Sequence, residues 1–308
     1  VVEYRPKNIQ FIKSIEQKIL AAREYVYQYM ILLALEPQWE AKLEPTTYGP
    51  RPKRNEMDAI GRIFTTYACS NKRQWVVHFN LNKYIKDISY EFILERLGNF
   101  PAKNAIKRWL ERFWRFEECK NHILYNLIAN IALNGLSNDL QIKYKIADKC
   151  KEYYHNHTNY ALCIHNYEFA IICKSEEDVL NSARILKKYI KERNIKLNAD
   201  DVEVRNIFDG FDFSGYNIRK LKAANNTIKT IIRPSKESLA ILVNKIRKIF
   251  IKCSGSNVSR LINEISPVLF DFGSRFSYVV SSRLFPKIDT YVWIKVKKFL
   301  KKLHPNKN

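Results

Sequence analysis

The residues best placed for chemistry lie in Tyr160 to Cys173, Tyr-Ala-Leu-Cys-Ile-His-Asn-Tyr-Glu-Phe-Ala-Ile-Ile-Cys. Two apolar and aromatic runs flank a polar tip, His165-Asn166, and runs bounded in this way read as a β-hairpin. A tip projecting from a buried sheet is a position for metal-binding carboxylates. Here it offers Glu168 alone, with Tyr167 beside it. Other chemistries have little support. The six cysteines, Cys69, Cys119, Cys150, Cys163, Cys173 and Cys253, form no C-x-x-C pair, so they read as reduced, mostly buried thiols and not as zinc ligands. His155 and His157 alternate on a polar stretch with no cysteine or carboxylate frame and read as surface histidines. No glycine-rich phosphate loop is present.

Charge points to a partner. The chain of 308 residues carries 53 Lys+Arg against 31 Asp+Glu, a net +22, and a pI near 9.6. That excess suits a polyanion, either nucleic acid or an acidic membrane surface. Between Arg233 and the end, sixteen basic residues face four acidic ones (Glu237, Glu264, Asp271, Asp289), a local +12. The hydrophobic fraction of 46% supports a sizeable core. The longest apolar run, Tyr25 to Leu35, is about half of a bilayer span. No secretory signal is visible, and the opening Val1 reads as a fragment or a processed form. Abundant Lys, Asn and Ile with scarce Gly fit an AT-rich genome and hint at an organelle.

Around the hairpin, periodicity and punctuation predict the elements. A helix is expected from Ala21 to Leu35, closed by Glu36-Pro37, then a short one over Gln38 to Leu43. Thr46 to Arg54 reads as a proline-stiffened loop with three basic residues, Arg51, Lys53 and Arg54. Asn55 caps a helix through Met57, Ile60 and Ile63. Trp75 to Leu81 reads as a strand, Ile88 to Leu97 as a helix. A further helix starts near Pro101, with Ile106, Leu110 and Phe113 on one face, and Ile123 to Leu136 is another apolar segment. Ser175-x-x-Asp178 opens a helix. Gly210 to Tyr216 looks like a turn and strand, followed by a polar stretch from Lys220 to Lys229. The basic tail is helical: one helix from Ser235, a second from Asn257 to Ile265 ended by Ser266-Pro267, a third from Asp289 to Leu303.

The order of these segments resembles the reverse-transcriptase-like maturases encoded by group II introns. Ala34-Leu35-Glu36-Pro37-Gln38-Trp39-Glu40-Ala41, with Thr47-Tyr48-Gly49-Pro50-Arg51-Pro52 and Asp58-Ala59-Ile60, looks like the family's second conserved block. Ala129-Asn130-Ile131-Ala132-Leu133-Asn134-Gly135-Leu136 looks like its fourth. Gly210-Phe211-Asp212-Phe213-Ser214-Gly215-Tyr216 resembles the strand before the thumb. Arg233-Pro234-Ser235-Lys236, Asp289 through Trp293 and His304-Pro305-Asn306-Lys307 resemble the maturase domain, domain X. The resemblance runs from about residue 20 onward. It implies an α+β fold, in which reverse-transcriptase-like fingers and palm (residues 1–232) form a small antiparallel sheet packed by helices. An all-α thumb or domain X bundle (residues 233–308) follows.

It also implies a loss. In the family, one metal-binding Asp ends the first palm strand, and two sit at the hairpin tip in Tyr-Ala-Asp-Asp. These positions fall on Asn80 and on Tyr167-Glu168, the motif as a whole on His165-Asn166-Tyr167-Glu168. Hard dications need oxygen anions, Asn is neutral, and a phenol ionises only near pH 10. The family's Pro-Gln-Gly-Gly turn falls on Cys119-Lys120-Asn121-His122 and is lost too. The expectation is a protein without polymerase catalysis, cofactor or bound metal. It would hold group II intron RNA and favour its splicing-competent fold, with other splicing proteins as further partners and no membrane. Its setting would be an organelle, the plastid stroma first and the mitochondrion second. Expected RNA contacts are Arg51, Lys53, Arg54, Lys245, Arg247, Lys248, Lys252, Arg260, Arg275, Arg283, Lys295 and Lys298. Tyr278, Tyr291 and Trp293 are expected to anchor the bundle core. The competing readings are an active RNA-directed DNA polymerase and a purely structural subunit of a splicing complex.

Overall fold

A computed structural model describes residues 15–68, 73–115, 120, 122–145, 155–156, 159–198, 201–222 and 226–303. Arg5-Pro6-Lys7, Cys69, Cys119, Asn121, Cys150, His157 and the closing His304 to Lys307 lie outside them. The chain divides into two compact units at Val204 and Arg205.

The first unit opens on helix α1, Ile15–Glu40. It runs through Pro37, where the sequence predicts a break. Proline costs one backbone bond there, to the carbonyl of Leu33. Ile31, Leu35 and Trp39, four residues apart and all buried, hold the helix in register across it. Strand β1 is Thr47–Tyr48. Helix α2, Glu56–Ala68, starts at a reciprocal cap: Asp58 N donates to Asn55 Oδ1 (2.9 Å) and Asn55 N to Asp58 Oδ2 (3.0 Å). Strand β2, Trp75–Asn80, leads through a 3₁₀ turn to α3, Tyr90–Leu97, capped by Ser89. Helices α4, Lys103–Phe113, α5, Tyr125–Ala132, and α6, Leu136–Asp139, follow. The small ladder of β3, Tyr144–Lys145, with β4, His155–Asn156, precedes the hairpin strands β5, Ala161–His165, and β6, Glu168–Cys173. Helix α7, Glu176–Glu192, begins at the predicted capping box, and β7 is Val202–Asn206.

The main sheet has the order β1-β5-β6-β2-β7. β5, β6 and β2 pair antiparallel, as expected, but β1 joins β5 in parallel. Two residues of extended chain at the loop suffice for that edge, so no alternation in the sequence signals it. β5 and β6 are buried at every position, and α5 is buried from Leu127 to Ala132. Both therefore read as apolar runs without periodicity.

His122 shows how polar groups are settled in this core. Both the Trp109 indole N–H (3.1 Å) and the Gln28 amide N–H (3.0 Å) face its Nδ1. An indole nitrogen can only donate, so Nδ1 is an acceptor and the ring is the neutral Nε2–H tautomer. Burial holds its pKa below the ordinary 6.5. The unfolded chain therefore binds a proton more readily than the folded one. Stability is full above pH 6.5 and falls as pH drops from there through the lower folded value. Thermal melting at pH 7.5 and 5.5 should show this loss, and His122→Phe should remove it.

The second unit starts as a three-stranded meander: β8, Phe211–Phe213, β9, Tyr216–Lys222, and β10, Ile228–Pro234. Ser214 and Gly215 both take positive φ at the β8–β9 turn (49° and 80°), the primed geometry that matches strand twist. Lys220 to Lys229 is not simply polar loop, because it supplies the ends of β9 and β10. Tyr216, Ile218 and Ile232 face inward while polar neighbours alternate outward. Helices α8, Lys236–Lys252, α9, Val258–Phe276, and α10, Phe285–Leu303, complete the unit. The expected stop at Ser266-Pro267 does not occur. Ile265, Val268, Leu269 and Phe272 all pack against Leu242 and Ile246, which offsets the bond that Pro267 forgoes. α10 begins about a turn before Asp289. Between residues 236 and 303 the chain forms three helices joined by two connecting turns, and the charge step near Arg233 falls where β10 gives way to α8. The described cysteines Cys163, Cys173 and Cys253 are free and buried.

Candidate nucleic-acid interface and the hairpin tip

The hairpin turns one residue later than predicted. Asn166 and Tyr167 are the two turn residues, with φ of 45° and 65°, and His165 pairs with Glu168. Asn accepts a left-handed backbone readily, whereas a bulky Tyr seldom does. Its surroundings account for it. The carbonyl of Tyr167 accepts from Leu81 N (2.9 Å), and its phenol donates to Asn126 Oδ1 (2.8 Å). The ring is buried edge-on to Tyr125, 6.3 Å between centroids.

Glu168 and Asn80 are paired across β6 and β2. The Glu168 carboxylate accepts from His78 Nε2 at 2.7 Å, both side chains nearly buried. Asn80 is exposed, and its amide oxygen accepts from Asn82 N at 3.0 Å. The three positions thus stand together, but their polar atoms are directed differently. Among the described residues, no group of three or more His, Cys, Asp or Glu is arranged to hold a metal ion.

Segments that are distant in sequence close around this tip. Asn166 N donates to Gly49 O (3.2 Å), and a Cβ on Gly49, φ +38°, would come within 3.2 Å of the His165 ring. Asn130 Nδ2 donates to Pro50 O (3.0 Å). Gly135 N and Ser137 N donate to Glu44 Oε1 (3.0 and 2.7 Å), while burial pushes the Glu44 carboxyl above its ordinary pKa. Both strings resembling conserved blocks of the first unit are therefore joined by hydrogen bonds.

The basic loop behaves unevenly. Arg51 is a buried strut, which corrects its assignment as an RNA contact. Its Nε and Nη2 donate to Glu40 (3.1 and 2.6 Å), and Nη1 donates to Glu44 O (2.8 Å) and Thr47 O (2.9 Å). Arg54 is half-buried, donates to Pro45 O (2.9 Å) and covers the Tyr48 ring. Lys53 is exposed, with φ +55°. Lys53 and Arg54 border an open cleft with Glu40, Tyr48, Pro52 and Asp58.

In the second unit the expected cations are outward, apart from half-buried Lys295. At about 100° per residue, Lys245, Lys248 and Lys252 form one stripe of α8, and Arg247 lies on another side. Lys252 pairs with Glu264 at 2.6 Å. Lys245, Arg247 and Lys248 have no carboxylate partner among the described residues. Arg260 contacts Ser256 (3.3 Å). Arg275 donates to Ser214 O (2.8 Å) and lies over Tyr216 and Phe276, which makes it a brace as well as a surface cation. Arg283 and Lys298 are exposed.

Residues 239–308 match the family described as Group II intron, maturase-specific domain. The match takes in helices α8, from Leu239 on, α9 and α10. Over more of the chain, Protein YkfC of Escherichia coli (strain K12) is 21% identical across 274 residues, 74% of this chain and 71% of that protein. Maturase-like protein 1 of Euglena longa is 24% identical across 282 residues, 86% of this chain and 55% of the relative, so the chain spans about half of it.

Two of the three rings expected to anchor the bundle core do not do so. Tyr278 and Trp293, expected in the core, are 78% and 60% exposed. Tyr291 does pack inward. No helix among the described residues is long and apolar enough to cross a membrane.

Proposed function

We propose that the chain is a group II intron maturase that binds intron RNA and stabilises its splicing-competent fold without polymerising nucleotides. The observation that carries this reading is the basic, outward-facing surface of the maturase-specific domain. Folded RNA is held through phosphates and 2′-hydroxyls, and α8 presents the exposed cations Lys245, Arg247 and Lys248 to a ligand of that kind.

The first unit serves as a reverse-transcriptase-like scaffold in this proposal. Two Mg²⁺ ions need several oxygen anions in one place. Asn80 is neutral, the Tyr167 oxygen is turned to Asn126, and the one carboxylate of Glu168 is engaged by His78. The donor set does not fit such a metal pair. The chain works in an organelle, the plastid first and the mitochondrion second, as its Lys- and Asn-rich composition suggests. Other splicing proteins are further partners. The apolar outward residues of α1, Leu20, Met30 and Leu33, favour a protein contact of that sort.

Two measurements test the proposal. RNA crosslinked to the protein in its host should be enriched in a group II intron, and a lack of enrichment would overturn the maturase reading. Primer extension on an RNA template with Mg²⁺ or Mn²⁺ should yield no product. Template-dependent extension lost in Glu168→Gln would restore the polymerase reading.

A further inference from the structure

The inward side of α10 is complete without its tryptophan. Ile288, Tyr291 and Val292 pack against Leu242, Ile246 and Ile265, and Phe299 with Leu303 close a second cluster on Cys253 and Leu261. Trp293 lies on the opposite side with Ile294, Lys297 and Lys298, all exposed. An indole brings more apolar burial than almost any other side chain, and here most of it faces solvent. Phe270 and Tyr278 are exposed as well. Among the described residues, Trp293 is the one of these three rings with a cation on its face: Lys297 Nζ stands 5.0 Å from the ring centroid. Over its length α10 carries six lysines and one acidic residue, Asp289.

We infer that the outward side of α10 is a stacking platform for unpaired RNA bases, with Trp293 as the ring and Lys297 as the cation beside the flanking phosphate. The inference rests on the RNA-binding reading above and adds the class of RNA recognised. In a continuous duplex both faces of each base are covered by neighbours, so a protein ring has nothing to stack on. A loop or bulge offers a free π-face. Charge complementarity selects an anionic occupant. An aromatic ring amid lysines selects one that is also flat and apolar.

The test uses the full chain and two RNA hairpins of equal length and charge, one fully paired and one with an adenine-rich internal loop. The looped RNA should bind roughly 5- to 100-fold tighter. It should quench the part of the emission that Trp293→Phe removes. Trp293→Ala should abolish the preference while leaving Tm and the salt dependence of binding unchanged, because stacking releases no counterions. Lys297→Gln should lower the slope of log K against log salt by about 1. If Trp293→Ala keeps the preference for the loop, the platform is elsewhere although the RNA-binding reading stands. If neither hairpin binds at low salt, that reading falls first. If phosphatidylglycerol vesicles shift Trp293 emission and looped RNA does not, the face belongs to lipid and the inference is overturned.

Discussion

Lys245→Glu combined with Lys248→Glu should weaken intron-RNA binding on the order of 100-fold at physiological salt and lower the salt slope by about 2. Both lysines are exposed on one stripe of α8, and neither is neutralised by a carboxylate among the described residues. Phosphate contact by an unpaired lysine releases counterions, and reversal adds repulsion to the lost contact. Lys252 in the same stripe is held by Glu264, so Lys252→Glu should cost less than either neighbour. Arg247→Glu probes the other side of the helix. A filter-binding series across salt concentrations separates these terms. Unchanged affinity in the double variant would move the RNA face off α8.

Arg51→Ala should destabilise the first unit by about 2–4 kcal/mol, a Tm lower by roughly 5–15 °C, with no change in the salt slope of RNA binding. The Arg51 side chain is 3% exposed, bidentate to Glu40 and bonded to two backbone carbonyls. Glu40 keeps one third of its side-chain surface in water, which moderates the cost of orphaning it. Arg51→Lys should rescue little, because one ammonium cannot span a carboxylate and two carbonyls at once. Urea melts report the first effect and salt-dependent binding the second. A flattened salt slope with unchanged stability would return Arg51 to the RNA surface.

Several caps, the strands β2, β5 and β6 and most helices were legible because their signals are local. Asn55, Ser175, Ser235 and Asn257, where the sequence places helix starts, each accept a bond from a backbone N–H three residues on, and that needs only the residue and its immediate successors. Pro37 and Pro267 were misread for the converse reason. A proline's local cost is fixed, but side chains far away in sequence decide whether the helix continues past it. The hairpin was legible as a pair of strands, yet its turn was not. A bulky Tyr in the left-handed region depends on Leu81 and Asn126, both outside the hairpin.

Residue types by themselves determined the cationic character of the chain, the concentration of charge after Arg233 and the absence of aspartates at Asn80 and Tyr167. These are compositional facts, and folding cannot alter them. Tertiary structure alone decided which cations face solvent and which brace the protein. Arg51 and Lys53 stand two residues apart in one loop, yet the first is enclosed by Glu40 and two carbonyls and the second is open. It also decided that Trp293 points outward from a helix whose Tyr291 and Phe299 point in. Burial is set by what packs against a residue from elsewhere in the chain, and neither spacing nor type encodes that neighbour.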